Sequence, residues 1–205
     1  MSEPTTPERI FAAADELFGS MGYDGVSVRD IAEKAGVNKA SVFYHYDSKD
    51  ALFERVLDRY YTAHHEALED VWGLVGDPMS RLHAVIDSYI DFMLANQRYP
   101  RLIVSMINAA NPQHLEFIQR STGSLFNWTE RALGDITPDS GPLAARQFYL
   151  TISGAVTNTF IYAEAVAPWW GGNPLSEGNL ATRREHIHWL VDMCLEGLAR
   201  ERTDV

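Results

Sequence analysis

The chain has 205 residues, with 17 Lys+Arg against 28 Asp+Glu for a formal net charge of −11, 46% hydrophobic residues and one cysteine. That length can bury the core of one or two domains, and the hydrophobic fraction excludes a disordered chain. The single cysteine excludes an intramolecular disulfide framework, no apolar run reaches the roughly 18–20 residues of a membrane span, and residues 1–8 lack the basic and apolar regions of a signal peptide. A soluble cytoplasmic protein is expected, whose acidic balance disfavours indiscriminate nucleic-acid binding without excluding a local basic site.

Helical signals follow one another along the chain. Ile10, Phe11, Ala14, Leu17, Phe18 and Met21 form one apolar stripe at helical period, opened by Thr6-Pro7 and Glu8 and stopped by Gly22 and Gly25. Ser27-Val28-Arg29-Asp30 matches a capping box with Asp in place of Glu and predicts a short helix from about Val28 to Ala35. Gly36 stands where a left-handed residue ends such a helix, and Asn38 can cap the next, about Lys39 to His45. Asp47-Ser48 opens a longer helix from Lys49 to about Trp72.

Further helices are expected from Asp77-Pro78 to about Gln97, from Arg101 to about Ala110 before Asn111-Pro112, and from His114 to about Leu133. Residues 137–142 read as a loop, Leu143 to about Val166 as the most apolar helix, buried all round, and Pro168 to Pro174 as a second loop. The last helix runs from Asn179 to about Arg200. No run alternates as a strand would, so the expected fold is all-α with about nine helices.

The most informative stretch is Ser27 to Leu52. Two short helices around a glycine turn form a helix-turn-helix pattern. Ile31 and Ala35 are apolar at i and i+4, Ala32 is small at the crossing, and Val37 and Val42 plug the angle between the helices. The second helix then offers Asn38, Lys39, Ser41, Tyr44 and His45, types that read base edges or grip phosphates. All three lysines of the chain, Lys34, Lys39 and Lys49, lie here. Residues 1–60 nevertheless carry 7 Lys+Arg against 11 Asp+Glu, a net −4. Only a local stripe of Arg29, Lys39 and Lys49, with the helix starts at Asn38 and Ser48, can attract phosphate, so few contacts per subunit and dimeric binding are expected.

Gly36-Val37-Asn38-Lys39-Ala40-Ser41-Val42-Phe43-Tyr44-His45-Tyr46, followed by Ser48-Lys49-Asp50-Ala51-Leu52, resembles the recognition region of the TetR family of transcriptional regulators. Upstream Phe18, Gly22, Tyr23 and residues 28–32 match as well, so the resemblance covers about residues 8 to 55. It implies an N-terminal three-helix DNA-binding domain, residues 1–50, and a helical effector-binding and dimerisation domain, residues 51–205. It implies phosphate contacts at Ser41 and Lys49, base contacts at Asn38, Lys39 and Ala40, backbone or base contacts at Tyr44 and His45, and a side chain sent toward a base at Arg29. Phe43 departs from the family's usual Tyr, which leaves that position a packing role.

Thr151, Asn158 and Tyr162 share one face of the most apolar helix, where they serve either a ligand or a neighbouring helix. The resemblance implies that the last two long helices form a four-helix dimer seam, with the small residues Gly154, Ala155 and Gly197 allowing close approach. Tyr89, Met93, Met106, Phe117, Trp128, Phe148, Asn158 and Tyr162 are the candidate effector-binding residues, with ordinary core packing as their other reading. No basic cluster accompanies them, so an apolar or amphipathic small molecule is the expected ligand.

No P-loop, nucleophile elbow, zinc-protease or dinucleotide motif occurs, so no enzyme and no cofactor is expected. His65 and Glu69 are one i, i+4 pair, which reads as a solvated helix face rather than a metal site. The expected function is a homodimeric repressor that binds an inverted-repeat double-stranded DNA operator and is released by a small effector. Two alternatives stay open. One is a DNA-binding dimer controlled by a protein partner, and the other is a helical enzyme or scaffold that keeps the helix-turn-helix for packing.

Overall fold

The computed structural model describes residues 3–72, 78–109, 112–134 and 136–203. Among these residues the chain is all-helical, with ten helices: α1 (Thr6–Met21), α2 (Val28–Ala35), α3 (Lys39–His45), α4 (Lys49–Trp72), α5 (Pro78–Ala95), α6 (Tyr99–Ala109), α7 (Pro112–Leu133), α8 (Ala145–Ile161), α9 (Ala163–Trp170) and α10 (Glu177–Thr203). The expected helix start at Asp77, and the expected helix end at Ala110 with the break at Asn111, lie outside the described residues.

Three differences from the sequence reading have physical causes. The cap of α1 is Thr5, not Thr6; its backbone N–H and hydroxyl donate to Glu8 at 2.7 and 2.8 Å. The long helix expected to end near Val166 stops at Ile161, because Tyr162 takes a bridge conformation (φ −93°, ψ 1°). The chain then restarts as α9, and residues 168–170, read as loop, are its last turn. Finally, α8 is not buried all round. Leu150 is 65% exposed and Tyr162 54%, and Thr151 and Asn158 are exposed too. Buried Val156 and Phe160 belong to the part of α8 that is covered, and α8 packs on α5 and α10.

The chain divides into two compact units, residues 1–63 with 96–118, and residues 64–95 with 119–205. In the first, α1 packs on α2, α3 and α6. Its core is Ile10, Ala14 and Phe18 of α1, Ile31 of α2, Val42 of α3, Leu52, Phe53 and Val56 of α4, and Leu102 and Met106 of α6. The edge-on rings of Phe18 and Phe53, 4.9 Å apart, sit among them.

One charge lies within this core. Asp15 is 4% exposed, and its Oδ1 accepts from Tyr60 Oη at 2.6 Å and Arg59 Nη2 at 3.0 Å. Its Oδ2 accepts from Arg98 Nη1 at 3.0 Å. A buried carboxylate needs such donors, and these tie α1 to α4 and to the turn before α6. Gly19 makes room for Arg98, since a Cβ there would lie 2.7–2.9 Å from Arg98 Cβ, Cγ and Cδ.

In the second unit α5, α8 and α10 pack on one another around Ile86, Met93, Val156, Phe160, Ile187 and Val191. Arg184 of α10 donates to Asp87 at 2.9 Å and Asp91 at 2.6 Å on α5. The rings of His83 and His188 stack 4.2 Å apart, and His83 Nε2 lies 2.8 Å from Asp192. Arg183 bridges α10 to α8 through Thr159 at 3.0 Å and the Ala155 carbonyl at 2.8 Å. His64, 5% exposed, lies between the rings of Tyr89 and Phe92 at 4.9 and 4.6 Å. Burial holds its pKa down to about 4, so the imidazole is neutral here.

Two predictions follow from this packing. Gly19→Ala gains about 1 kcal/mol of helix propensity but incurs overpacking of about 1–3 kcal/mol and displaces Arg98, so a net loss of roughly 1–2 kcal/mol is expected in urea denaturation. His64 binds its proton more weakly in the folded state than in the unfolded one. Its contribution is full above about pH 6.5 and lost as pH falls toward 4, on the order of 3 kcal/mol, and His64→Phe should flatten that part of the stability–pH curve.

Candidate nucleic-acid interface

The local chemistry of residues 27–49 sets the geometry of the candidate interface. Ser27 caps α2: the Asp30 N–H donates to Ser27 Oγ at 3.2 Å, while the Ser27 N–H and hydroxyl donate to the Asp30 carboxylate at 2.8 and 2.7 Å. Those bonds hold the Asp30 pKa below the usual carboxylate range. Gly36 ends α2 in the left-handed region (φ 66°, ψ 38°), and the Val37 N–H closes the turn on the Ala32 carbonyl at 2.9 Å. Asn38 then caps α3, its Oδ1 accepting from the Ser41 N–H at 2.8 Å and the Ser41 hydroxyl at 3.0 Å.

Helix α3 has one buried residue, Val42, which is 1% exposed. Lys39, Ala40, Phe43, Tyr44 and His45 are all exposed, Tyr44 by 84%. The helix thus lies on the unit by a single apolar peg and turns the rest of its surface outward. Tyr44 and His45 meet edge-on at 4.9 Å, and the Lys39 ammonium lies 5.6 Å from the Phe43 ring. Phe43, expected to pack, is 42% exposed: the position on α3 that faces the core belongs to Val42.

The other expected contact residues are placed as follows. Arg29 is exposed on α2. Ser41 is half-buried and its hydroxyl is engaged by Asn38. Lys34 forms an ion pair with Glu16 at 2.7 Å. The Lys49 ammonium is 3.9 Å from the centre of the Tyr23 ring, and partial burial lowers its pKa while Asp24 and Asp50 act against that shift. The Tyr23 hydroxyl donates to Asp50. Tyr23 and Asp50 are matching positions in the sequence, but their part in holding Lys49 emerges only in the fold; an aromatic in the turn after α1 and an acid beside a helix-start lysine are the available signals.

The eight candidate effector residues divide between the two units. Met106 and Phe117 belong to the first unit and are buried there. In the second unit Tyr89 and Met93 are buried, Trp128 and Phe148 half-buried, and Asn158 and Tyr162 exposed. An apolar cavity of about 30 Å³ lies among Leu82, Tyr89, Leu125, Thr129, Tyr149 and Ser153, and of the eight only Tyr89 lines it. The Tyr89 hydroxyl pairs with Thr157 at 3.0 Å. A second, more polar cleft of about 80 Å³ lies among Phe126, Glu130, Thr137, Asp139 and Arg146 and contains none of them. Both are far below the several hundred Å³ of a small-molecule site. No group of three or more His, Cys, Asp or Glu among the described residues could hold a metal ion, and no described helix is long and apolar enough to cross a membrane.

Residues 10–56 match the family model of bacterial regulatory proteins of the tetR family. The HTH-type transcriptional activator FasR of Mycolicibacterium smegmatis is 28% identical over 138 residues, 67% of this chain and 62% of its own length. The biofilm operon icaADBC HTH-type negative transcriptional regulator IcaR of Staphylococcus aureus is 42% identical over 48 residues, 23% of this chain and 26% of its own length. The chain therefore spans about three fifths of the first relative and a quarter of the second. A transcriptional regulator from Rhodococcus sp. Rha1 superposes with a TM-score of 0.72 at 23% identity, covering 94% of this chain and 97% of that one. Residues 10–56 thus match the helix-turn-helix region of the tetR family model, and the chain shares its fold with a solved transcriptional regulator.

The cap of α3 yields a prediction. Asn38→Ala removes the acceptor that holds both the Ser41 N–H and the Ser41 hydroxyl, and should cost about 1 kcal/mol in a denaturant titration. Asn38→Asp keeps the acceptor and should recover most of that loss.

Proposed function

We propose that this chain is a DNA-binding transcriptional repressor that acts as a homodimer on an inverted-repeat operator and is released by a small apolar or amphipathic effector. The observation that carries the reading is the outward surface of α3: a seven-residue helix held by Val42 alone presents Lys39, Ala40, Tyr44 and His45. A helix fits the major groove, where lysine donates to guanine, a small apolar side chain meets the thymine methyl, and tyrosine and histidine reach backbone or base edges. Arg29 and Lys49 supply phosphate attraction from either side in sequence. Asn38 and Ser41 retain their amide donors and hydroxyl lone pairs for DNA while capping α3. Both named relatives are HTH-type transcriptional regulators, one an activator and one negative.

Leu150 on α8 and Trp189 and Met193 on α10, 65%, 57% and 47% exposed, support a homodimer. Large apolar side chains on the outward faces of adjoining helices suit a twofold seam. Two copies would place two α3 helices on successive half-sites, which compensates for the few cations each carries. For the effector, the support is the apolar cavity with hydroxyls at Tyr89, Thr129, Tyr149 and Ser153 and no cation in its lining. An apolar molecule able to accept a hydrogen bond would have to widen it. Repression requires only that the bound dimer occlude an overlapping promoter.

Binding titrations on DNA from the region upstream of its own gene, against scrambled DNA at several salt concentrations, test the reading. Lys49→Ala should weaken binding to all sequences about equally and flatten the salt slope by about one ion, whereas Lys39→Ala should reduce the preference for the matched sequence by roughly 1–3 kcal/mol. Failure of the native chain to retard its upstream DNA rejects the proposal. Thermal-shift screening with apolar metabolites separates effector control from control by a protein partner.

A further inference from the structure

His114, near the start of α7, is 3% exposed and its Nδ1 has no hydrogen-bond partner. Its ring meets Tyr23 edge-on at 4.9 Å and Phe53 at 5.0 Å. Tyr23 itself is held from several directions. Its backbone N–H donates to Ser105 Oγ of α6 at 3.2 Å, its hydroxyl donates to Asp50 of α4, and its ring lies 4.9 Å from Phe53 and 6.1 Å from Phe18. Gly22 (φ 71°) permits the approach to α6, since a Cβ there would lie 2.6 Å from Ser105 Oγ. On the face of this ring lies the Lys49 side chain, its ammonium 3.9 Å from the ring centre.

An exposed lysine loses rotamer freedom when it grips a phosphate, and a lysine already ordered on an aromatic face loses less. We propose that Tyr23 is a positioning residue for the DNA contact of Lys49, and that His114 supports Tyr23 only while its imidazole is neutral, so that DNA binding weakens as His114 gains a proton. This rests on the DNA-binding reading above.

The charged groups acting on His114 come from α4, which brings Lys49, Asp50 and Glu54, and from the α1–α2 turn, which brings Asp24. Burial is the largest influence and lowers the His114 pKa; the three carboxylates act against it and Lys49 adds to it. The neutral form is therefore the folded chain's preferred state, its stabilising contribution is present above about pH 6.5, and it fades as pH falls below that. A proton on this ring brings a second cation toward Lys49 and recruits Asp50, which otherwise receives the Tyr23 hydroxyl.

The test compares native chain, His114→Phe and Lys49→Ala as full-length proteins, binding upstream DNA at pH 7.5, 6.5 and 5.5 at constant ionic strength. The native chain should lose more affinity across this range than His114→Phe, which keeps a ring but cannot titrate. Comparison of the two removes the contributions of His45 and His64, present in both. Lys49→Ala should bind more weakly throughout and lack the same pH-dependent component, because the route runs through that side chain. Should His114→Phe fail to fold, the Lys49→Ala profile decides, together with the imidazole NMR titration of His114, which must fall below the value of an exposed histidine. A His114→Phe profile parallel to the native one, or a pH component that survives in Lys49→Ala, overturns the inference while leaving DNA binding intact. No DNA binding by the native chain even at pH 7.5 overturns the regulator reading itself, and this inference with it.

Discussion

The first unit depends on one buried carboxylate. Asp15 sits in the middle of α1 where an apolar residue would otherwise belong, and it is tolerated because Tyr60, Arg59 and Arg98 all donate to it. A paired charge in a core is directional in a way that apolar packing is not. It accepts only the arrangement in which α4 and the turn before α6 deliver their donors together. The guanidinium heads of Arg59 and Arg98 remain about half exposed, which keeps their desolvation small while the carboxylate itself is enclosed. The phenol of Tyr60 completes the set, its own pKa driven up by burial and by the acid it donates to.

What could be read from the sequence was what short-range chemistry decides. The bounds of α2, α3 and the start of α4 agree with the reading to the residue, because Ser27, Gly36 and Asn38 act on backbone groups within four positions. The role of residues 96–118 was not legible. Arg98 meets Asp15 across 83 residues of sequence and Tyr23 meets Ser105 across 82, and no local pattern announces a partner at that distance. The reach of α8 was overestimated for a related reason. An apolar run marks a surface that avoids water, yet it does not say whether the cover is another helix of the same chain. Tyr162, which interrupts it, is neither glycine nor proline.

The candidate site divides along the same line. Arg29, Lys39, Ala40, Tyr44 and His45 are exposed together on α2 and α3, because helical spacing determines which side chains can share a face. Lys49 is legible in the sequence as part of the cationic stripe that can attract phosphate, whereas its lodging on Tyr23 needed the fold. All the effector candidates but Asn158 are aromatics or methionines, and such residues fill cores as readily as they line cavities. The apolar cavity of the second unit is lined by hydroxyl-bearing Thr129, Tyr149 and Ser153, with Tyr89 the residue common to both sets.

The single apolar peg beneath α3 has an evolutionary consequence. Val42 carries the attachment, so the neighbouring outward positions of this helix contribute little to folding and can be exchanged without endangering the scaffold. Duplicated copies of such a gene can therefore drift toward new target sequences by changing a handful of codons, each intermediate remaining a stable protein.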